Sequence, residues 1–210
     1  MHNNAQSEKS EVMTPAVIDP LQFNINSDND VNQKPIYENY IDRLFDDPKC
    51  QDAKEDHVID NLYLSDCYSS INYDKYKLII NCDYPYNNTR LNEKRFDIVD
   101  AISSETNKEV TFHILGIGID DHINQNLSDS FDEVTELMRK YTTKNSKVLI
   151  HCRMGISRSA SFVIAYLINY HNMTLLYALD YLKKKRPIIK PNDGFLQQLK
   201  RYEEKRSTLY

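Results

Sequence analysis

The chain has 210 residues, of which 40% are hydrophobic, so its composition excludes a wholly disordered chain and suits one domain with some additional sequence. Its formal net charge of −5 is uneven, because residues 1–56 carry 12 acidic and 5 basic residues whereas residues 57–210 carry 19 acidic and 21 basic residues. The mildly basic part favours an anionic substrate, but it is too weakly charged to indicate a nucleic-acid-binding protein.

Targeting and metal-binding signals are absent from the sequence. The N-terminus is polar and unlike a signal peptide, and the longest apolar run, within residues 160–168, is too short to span a bilayer. The four cysteines, Cys50, Cys67, Cys82 and Cys152, have no CxxC spacing, so we predict free thiols and no metal site. These features predict a cytoplasmic protein without a membrane segment, with the nucleus as the alternative location.

The first part of the chain differs in composition from the remainder. Residues 1–35 contain few large apolar residues and many Asn, Ser and Asp, which is typical of a disordered tail. Residues 36–50 contain a short apolar cluster that indicates one helix packed on the domain. We therefore interpret residues 1–50 as a disordered or loosely packed acidic N-terminal extension, and residues 51–206 as the folded domain.

Three segments of the next part predict strands. Residues 57–65 have strand-like apolar content, and residues 77–82 and 110–117 are short apolar runs bounded by polar residues. Between them, residues 68–73 indicate a short helix and residues 83–95 indicate a polar loop. The second half of the chain is predicted to be mostly helical, with one further strand.

A helix is predicted over residues 127–142. Phe131, Val134 and Met138 recur at helical spacing on one face, and Ser128 is the predicted N-cap. The predicted helix is therefore amphipathic and covers a hydrophobic surface.

The remaining elements alternate between strand and helix before the chain ends in helices. Residues 147–152 predict a buried strand, and residues 158–170 are apolar on nearly every side, as in a central buried helix. Thr174 is the predicted cap of a further helix that Pro187 stops, and Asp193 is the predicted cap of the last helix. This order predicts an α/β fold in which helices cover a central sheet.

The sequence HCRMGISRS, residues 151–159, joins the last predicted strand to the central helix. Gly155 permits a backbone conformation that other residues resist, so the intervening residues can form a tight loop. Such a loop directs its N–H groups inward, and the helix dipole adds positive potential at the same point. We therefore predict an anion site whose natural ligand is a phosphate.

Four side chains around this loop have the chemistry of a nucleophilic site. A thiol at the position of Cys152 loses its proton easily and becomes a nucleophile that needs no separate base. Arg158 can present a planar fork to two phosphate oxygens. Ser159 can hydrogen-bond the sulfur and ease its departure in a second step. His151 is interpreted as a structural residue that holds the loop.

This pattern of His-Cys, five residues, Arg and Ser resembles the signature loop of cysteine-dependent protein phosphatases. The longer sequence HCRMGISRSASFVIAYL resembles their dual-specificity branch. LYLSDCYSS (62–70), KLIINC (77–82) and RPIIKPNDGFLQQLKRYE (186–203) are similar to further parts of that family. The resemblance extends from near residue 57 to near residue 206.

The resemblance implies a fold and an activity. The fold is α/β, with a central mixed, mostly parallel sheet flanked by helices and the signature loop between the last strand and the central helix. Residues 51–206 would be the catalytic domain of a small, atypical dual-specificity phosphatase. It would hydrolyse phosphotyrosine and phosphoserine or phosphothreonine in protein substrates through a phosphocysteine intermediate, without cofactor or metal. Nothing in the sequence indicates an oligomeric state.

The resemblance also implies a general acid and a set of binding residues. The family uses an Asp roughly thirty residues before the cysteine to protonate the leaving group. The segment DHINQNLS favours Asp121, and Asp120 is the alternative. The residues implied to bind the substrate phosphate are Arg153, Met154, Gly155, Ile156 and Ser157.

Two other functions and one second role stay open on the sequence. The chain could be a catalytically weak phospho-binding module, although Cys152 and Arg158 are both present, or an RNA 5′-phosphatase of the same superfamily, although that branch prefers other residues in the motif. Cys82 is interpreted as a packed core residue. The alternative, a protective disulfide with Cys152, is suggested only by relatives that use a differently placed thiol.

Overall fold

The structure is a computed structural model that describes residues 55–67, 72–83, 94–102 and 108–208. The predicted N-terminal extension, residues 1–50, lies outside these ranges. All strands and helices of the fold given below lie within the described ranges.

Six strands and four α-helices make up the regular structure of the described residues. They are, in chain order, β1 (Asp56–Ile59), β2 (Leu62–Asp66), β3 (Leu78–Asn81), β4 (Lys94–Ile102), β5 (Glu109–Ile117), α1 (Ser128–Thr142), β6 (Val148–Cys152), α2 (Arg158–His171), α3 (Leu175–Lys185) and α4 (Asp193–Ser207). A short 3₁₀ helix, Tyr73–Lys75, precedes β3. The predicted alternation of strands and helices in an α/β fold is confirmed.

The strands form one sheet in the order β1-β2-β6-β3-β5-β4. The four inner strands are parallel to one another, and β1 and β4 pair antiparallel at the two edges. The predicted mixed, mostly parallel sheet is therefore confirmed. In this register Asp66 of β2 lies beside Cys152, and Asn81 of β3 lies beside His151. The carboxyl ends of three neighbouring strands thus meet at one edge of the sheet.

The central strands are the continuous apolar runs of the sequence. All residues of β3 and β6 are buried, because helices cover one face of the sheet and a smaller hydrophobic cluster covers the other. Strands buried on both faces are apolar throughout rather than alternating. This burial explains why the predictions over 77–82 and 147–152 were accurate.

Two strand predictions differ from the structure. The single strand predicted over residues 57–65 is a hairpin of two strands, because Asp60 adopts a left-handed conformation with φ of 48° and turns the chain. The loop predicted over residues 83–95 ends too late, since β4 already begins at Lys94. Residues 84–93 lie outside the described residues. The strand β4 is a sheet edge whose Ile98 is 63% exposed, so its apolar signal is weak.

The helix predicted over residues 68–73 falls mostly outside the described residues. Residues 68–71 lie outside the described residues, and the 3₁₀ helix begins at Tyr73. Over residues 68–71 the helix therefore stays a prediction.

Two predicted helix caps are wrong by one residue. Ser128 is the first residue of α1 and not its cap, and its hydroxyl donates to the Asn126 side chain at 2.8 Å. Asp193 is the first residue of α4, and the cap is Asn192, whose side-chain oxygen accepts from the Phe195 amide at 3.0 Å. The cap of α1 is Leu127, which makes no side-chain cap hydrogen bond, whereas at α4 the adjacent Asn192 and Asp193 are both good caps and the geometry of the preceding loop decides between them.

The helix α3 follows the sequence prediction closely. The Thr174 hydroxyl accepts from the Tyr177 amide at 3.3 Å and caps its N-terminus. The helix ends at Lys185, two residues before Pro187. A proline cannot continue a helix, and the residue before it is pushed towards extended backbone, which Arg186 adopts.

The main hydrophobic core lies between the sheet and the four helices. Helix α2 is its centre, with a continuous buried run over residues 158–168. The rings of Phe131 and Phe162 meet edge to face, with centroids 5.8 Å apart. None of the helices in the described part of the chain has the length and hydrophobicity that a membrane span needs.

The two faces of α3 give a direct test of this packing. Leu182 is fully buried, whereas Leu176 on the same helix is 80% exposed. We expect Leu182→Ala to lower the free energy of unfolding by about 2–5 kcal/mol, since it leaves a cavity. The matched variant Leu176→Ala should change it by less than about 0.5 kcal/mol. Urea denaturation of both variants checks this, and equal effects would contradict the placement of α3.

Candidate active site

The candidate site lies at the carboxyl edge of the sheet, where β6 turns into α2. Cys152 is the last residue of β6 and Arg158 the first of α2, so residues 153–157 must reverse the backbone between two buried elements. We refer to residues 152–158 as the signature loop. The loop opens towards the N-terminus of α2, where the helix dipole favours an anion.

The turn of the signature loop requires a glycine. Gly155 has φ of 61°, in the left-handed region that other residues resist. A Cβ at this position would also lie 2.5 Å from the carbonyl oxygen of Ser65 on β2. Backbone conformation and close approach to the neighbouring strand therefore both select glycine, as the sequence predicts.

The nucleophile candidate has the predicted hydrogen-bond partner. The Ser159 hydroxyl donates to the sulfur of Cys152 at 3.2 Å, and both side chains are buried. Ser159 belongs to the first turn of α2, so the helix fixes its hydroxyl beneath the sulfur. This arrangement can stabilise negative charge on the sulfur.

The guanidinium of Arg158 is held from one side. Its Nη1 donates to the Asp83 carboxylate, to the Ile119 carbonyl at 3.0 Å and to the Cys82 carbonyl at 3.5 Å. Burial acts to lower the pKa of Arg158, but electrostatic interactions with Asp83 and Cys152 outweigh burial and raise the pKa. Arg158 is therefore a fixed cation beside the signature loop.

Asp83 is a site residue that the sequence reasoning missed. It follows β3 directly, and besides Arg158 it accepts a hydrogen bond from Nε of Arg153 at 3.1 Å. Its signal was available, because an acidic residue just after a buried parallel strand lies at the edge where sites form. The polar loop predicted over residues 83–95 gives Asp83 no separate role.

Asp121, the favoured general-acid candidate, contacts the signature loop. Its Oδ1 accepts from the Ser157 hydroxyl at 2.7 Å and from the Asn192 side chain at 2.8 Å. The carboxyl group is exposed to solvent, as is that of Asp120. Asn192 was not predicted as a site residue, since its contact with Asp121 joins positions 71 apart in the chain.

The other residues predicted to bind phosphate line the rim and the base of the signature loop. Arg153 and Met154 are exposed, Ile156 is half-buried, and Gly155 and Ser157 are buried. The loop therefore offers exposed side chains to a large ligand and backbone groups to a small anion.

His151 is a buried neutral side chain. Burial lowers its pKa from 6.5 to about 4, while the charges of Asp83 and Asp66 and a hydrogen bond with the Cys152 backbone act in the opposite direction. The ring is thus uncharged at neutral pH, which agrees with a structural role next to the nucleophile candidate.

The remaining described cysteines differ from Cys152 in their surroundings. Cys82 belongs to the hydrophobic core, and its pKa is raised by burial first and then by the charge at Cys152. Burial, followed by the charge of Asp83, raises the pKa of Cys67 to about 12. All three thiols of the described chain are free. The contacts of Cys82 thus support core packing over a disulfide.

The described residues contain no group of three or more His, Cys, Asp or Glu side chains arranged to hold a metal ion. The polar groups of the site are instead the Cys152 sulfur at the end of β6 and the Arg158 guanidinium at the first residue of α2, which suit an anion between them. A sulfur, a guanidinium and a carboxyl group next to an anion site suit phosphoryl transfer.

Comparison with known proteins identifies the family. The model for the dual specificity phosphatase catalytic domain matches residues 62–205, well over half of the chain. The chain belongs to the dual specificity phosphatase family. The matched segment of this family begins with β2 and contains Cys152, Arg158, Asp121 and Asp83.

Relatives of this family share different lengths of the chain. Dual specificity protein phosphatase 21 of Homo sapiens is 43% identical over 89 residues, which cover 42% of this chain and 47% of the human protein. Putative tyrosine phosphatase 123R of Invertebrate iridescent virus 6 is 34% identical over 146 residues, which cover 70% of this chain and 89% of the viral protein. The chain thus spans about half the length of the human relative that it matches.

The fold is also that of solved structures in the family. The crystal structure of human DUSP28 superposes with a TM-score of 0.59 and 20% identity, covering 74% of this chain and 99% of that chain. The crystal structure of DUSP15 gives a TM-score of 0.58 and 23% identity, covering 74% and 90%. At this identity the likeness concerns the fold, and it confirms the architecture that the sequence predicts.

The buried His151 predicts how stability depends on pH. Below about pH 6.5 the unfolded chain binds a proton at this residue that the folded chain accepts only near pH 4. The free energy of unfolding should therefore fall as the pH is lowered through this window, by about 3 kcal/mol from His151 alone. His113 and His171, whose pKa values burial also lowers, contribute in the same direction.

Denaturation of wild type and His151→Gln between pH 7 and pH 4 measures this contribution. The variant should lose less stability over the window than the wild type, and His122→Gln serves as the control for an exposed histidine. Equal pH dependence in His151→Gln and wild type would contradict the neutral buried state of His151.

Proposed function

We propose that this chain is a dual-specificity protein phosphatase that hydrolyses phosphotyrosine and phosphoserine or phosphothreonine through a phosphocysteine intermediate. One observation carries the proposal. A loop that can bind a phosphate has a nucleophile at its base, Cys152, a cation at its end, Arg158, and a carboxyl group in contact with it, Asp121. Each of the three groups performs one part of phosphate ester hydrolysis.

In the first step the Cys152 thiolate attacks phosphorus in line with the ester oxygen. The S–P bond forms as the P–O bond to the substrate breaks, and Asp121 donates its proton to the leaving oxygen. Arg158 and the amide groups of residues 153–157 hold the three equatorial oxygens, where the charge of the transition state is spread. The leaving alcohol or phenol departs neutral.

In the second step the same groups act in reverse order. The Asp121 carboxylate accepts a proton from a water molecule whose oxygen attacks phosphorus, and the S–P bond breaks. The Ser159 hydroxyl, 3.2 Å from the sulfur, stabilises the thiolate that leaves. Inorganic phosphate is released and Cys152 is regenerated, so the cycle needs no cofactor.

The domain assignment and the partner follow from this proposal. Residues 51–206 form the catalytic domain, which contains the family match over 62–205. Its partner is a phosphorylated protein, since the human relative described above is a dual specificity protein phosphatase. A cytoplasmic location suits such substrates.

The two other functions have less support. A phospho-binding module without turnover would not need a nucleophile hydrogen-bonded by Ser159 or a carboxyl group held against the loop by Ser157. An RNA 5′-phosphatase has no specific observation in its favour among the described residues. Phosphate release from a phosphopeptide beside triphosphate-ended RNA ranks the protein and RNA substrates directly.

Replacing the nucleophile tests the mechanism. Cys152→Ser should lower turnover of an aryl phosphate by at least about 10⁴-fold, because a hydroxyl in the same place is protonated at neutral pH. Cys50→Ser, outside the proposed catalytic domain, is the matched cysteine control and should keep wild-type turnover. Phosphate release is measured in the presence of a chelator, and activity that persists in Cys152→Ser would disprove the phosphocysteine route.

Two leaving groups test the general acid. Asp121→Asn should lower kcat for a phosphotyrosine peptide by about 10²–10⁴-fold, because the phenolate then leaves without a proton. For p-nitrophenyl phosphate, whose leaving group is a stable anion, the loss should be much smaller. Asp120→Asn is the matched control at the neighbouring position. If Asp120→Asn shows the leaving-group dependence and Asp121→Asn does not, the two roles are exchanged.

A further inference from the structure

Arg186 is a buried cation behind the signature loop that the proposed mechanism does not use. It is the first residue after α3 and is 5% exposed. Its Nε donates to the Gly155 carbonyl at 3.0 Å, and its Nη2 donates to the Met154 carbonyl at 3.3 Å. One guanidinium therefore holds two consecutive carbonyls of the loop.

Two carboxylates on the sheet fix the position of this guanidinium. Nη1 of Arg186 contacts Asp56 of β1 at 2.7 Å, and Nη2 contacts Asp66 of β2 at 3.1 Å. A buried arginine is tolerated only with such partners, because an unpaired charge away from water is costly. The planar donor group of Arg186 is thus locked between the strand edge and the loop.

The two outer carbonyls of the loop are held from the same side by backbone amides. The Cys67 amide donates to the Arg153 carbonyl at 3.2 Å, and the Lys190 amide donates to the Ile156 carbonyl at 2.8 Å. With the two carbonyls held by Arg186, four consecutive loop carbonyls accept hydrogen bonds from outside the loop. The signature loop is therefore oriented by its surroundings and not only by its own sequence.

Fixing a carbonyl fixes the amide on the other side of the same peptide plane. The C=O of Met154 and the N–H of Gly155 belong to one planar trans peptide and point in opposite directions. The C=O of Gly155 and the N–H of Ile156 are related in the same way. By binding the two carbonyls outside the loop, Arg186 directs these two N–H groups into it, where an anion would lie.

We infer that Arg186 is a positioning residue that preorganises the signature loop for oxyanion binding by holding the Met154 and Gly155 carbonyls. This inference rests on the proposed function for its biological meaning, since the bound oxyanion would be the phosphate of the substrate. The contacts of Arg186 described above are with the backbone of the loop and with Asp56 and Asp66. Its effect is to keep two peptide dipoles aligned before the ligand arrives.

The test compares variants at the end of α3 in the full-length chain. Arg186→Lys keeps the charge but cannot reach two carbonyls and two carboxylates with one planar group. Arg186→Met removes both the charge and the donors. Lys183→Met, an exposed residue on the same helix end, is the matched control for loss of one positive charge.

Tungstate, an inert oxyanion, is the probe, and its binding is measured by calorimetry at a temperature where each variant is folded. We expect Arg186→Lys to bind tungstate about tenfold more weakly than wild type, the effect of losing an ordering hydrogen bond, and Arg186→Met to bind still more weakly. Alkylation of Cys152 by iodoacetate at neutral pH should slow in the same order. Lys183→Met should match wild type in both measurements.

Folding and function are separated by further measurements. If neither Arg186 variant folds, Asp56→Asn, which leaves Arg186 in place but loosens it, should still weaken tungstate binding severalfold. A folded Arg186→Lys with wild-type tungstate affinity would overturn the positioning role even if wild type is an active phosphatase. Weaker tungstate binding in a chain whose wild type releases no phosphate would leave the positioning role standing and refute the proposed function.

Discussion

The five-residue reversal between β6 and α2 is the constraint on which the site depends. Both elements are buried along their whole adjoining lengths, so the loop cannot move without disturbing the core. Its two ends carry the sulfur of Cys152 and the guanidinium of Arg158, which are therefore held at the same edge of the sheet. Because β6 is central in the sheet, the neighbouring strands β2 and β3 supply groups to both sides of the loop. The arrangement of β6, α2 and the neighbouring strands therefore determines where the reactive groups of the site lie.

Two arginines near the loop, Arg186 and Arg158, differ in how their charges are paired. Arg186 lies outside the loop and is paired with Asp56 and Asp66, so its charge stabilises the folded structure. Arg158 lies beside the anion position and is paired with Asp83 only from one side. Under the proposed function, a phosphate entering the loop would meet a cation that is already held in place, which would avoid the cost of ordering it on binding.

The sequence was sufficient for the parts of this fold that depend on local pattern. Continuous apolar runs predicted β3 and β6, helical spacing predicted α1, and the motif placed Cys152 and Arg158 at the two ends of one loop. The sequence was insufficient for contacts between residues that are far apart in the chain. Asp83 meets Arg158 across 75 positions and Asn192 meets Asp121 across 71, and no local pattern encodes such contacts. The edge strand β4 was missed for a related reason, since pairing with β5 rather than burial defines it.

The end of the domain is tied to the general-acid candidate by one side chain. Asn192 caps α4 with its oxygen and donates to Asp121 with its nitrogen, so the start of the helix and the position of the carboxyl group are set together. Gly194 follows two residues later, and a Cβ there would lie 1.9 Å from the Ile123 carbonyl, which shows how closely α4 abuts the segment carrying Asp121. The hydroxyl of Ser157 joins the same network from the signature loop. The sequence RPIIKPNDGF, which resembles the family's ending, therefore contributes to the site at both of its ends. Its Arg orients the loop that would bind phosphate, and its Asn orients the acid that would protonate the leaving group.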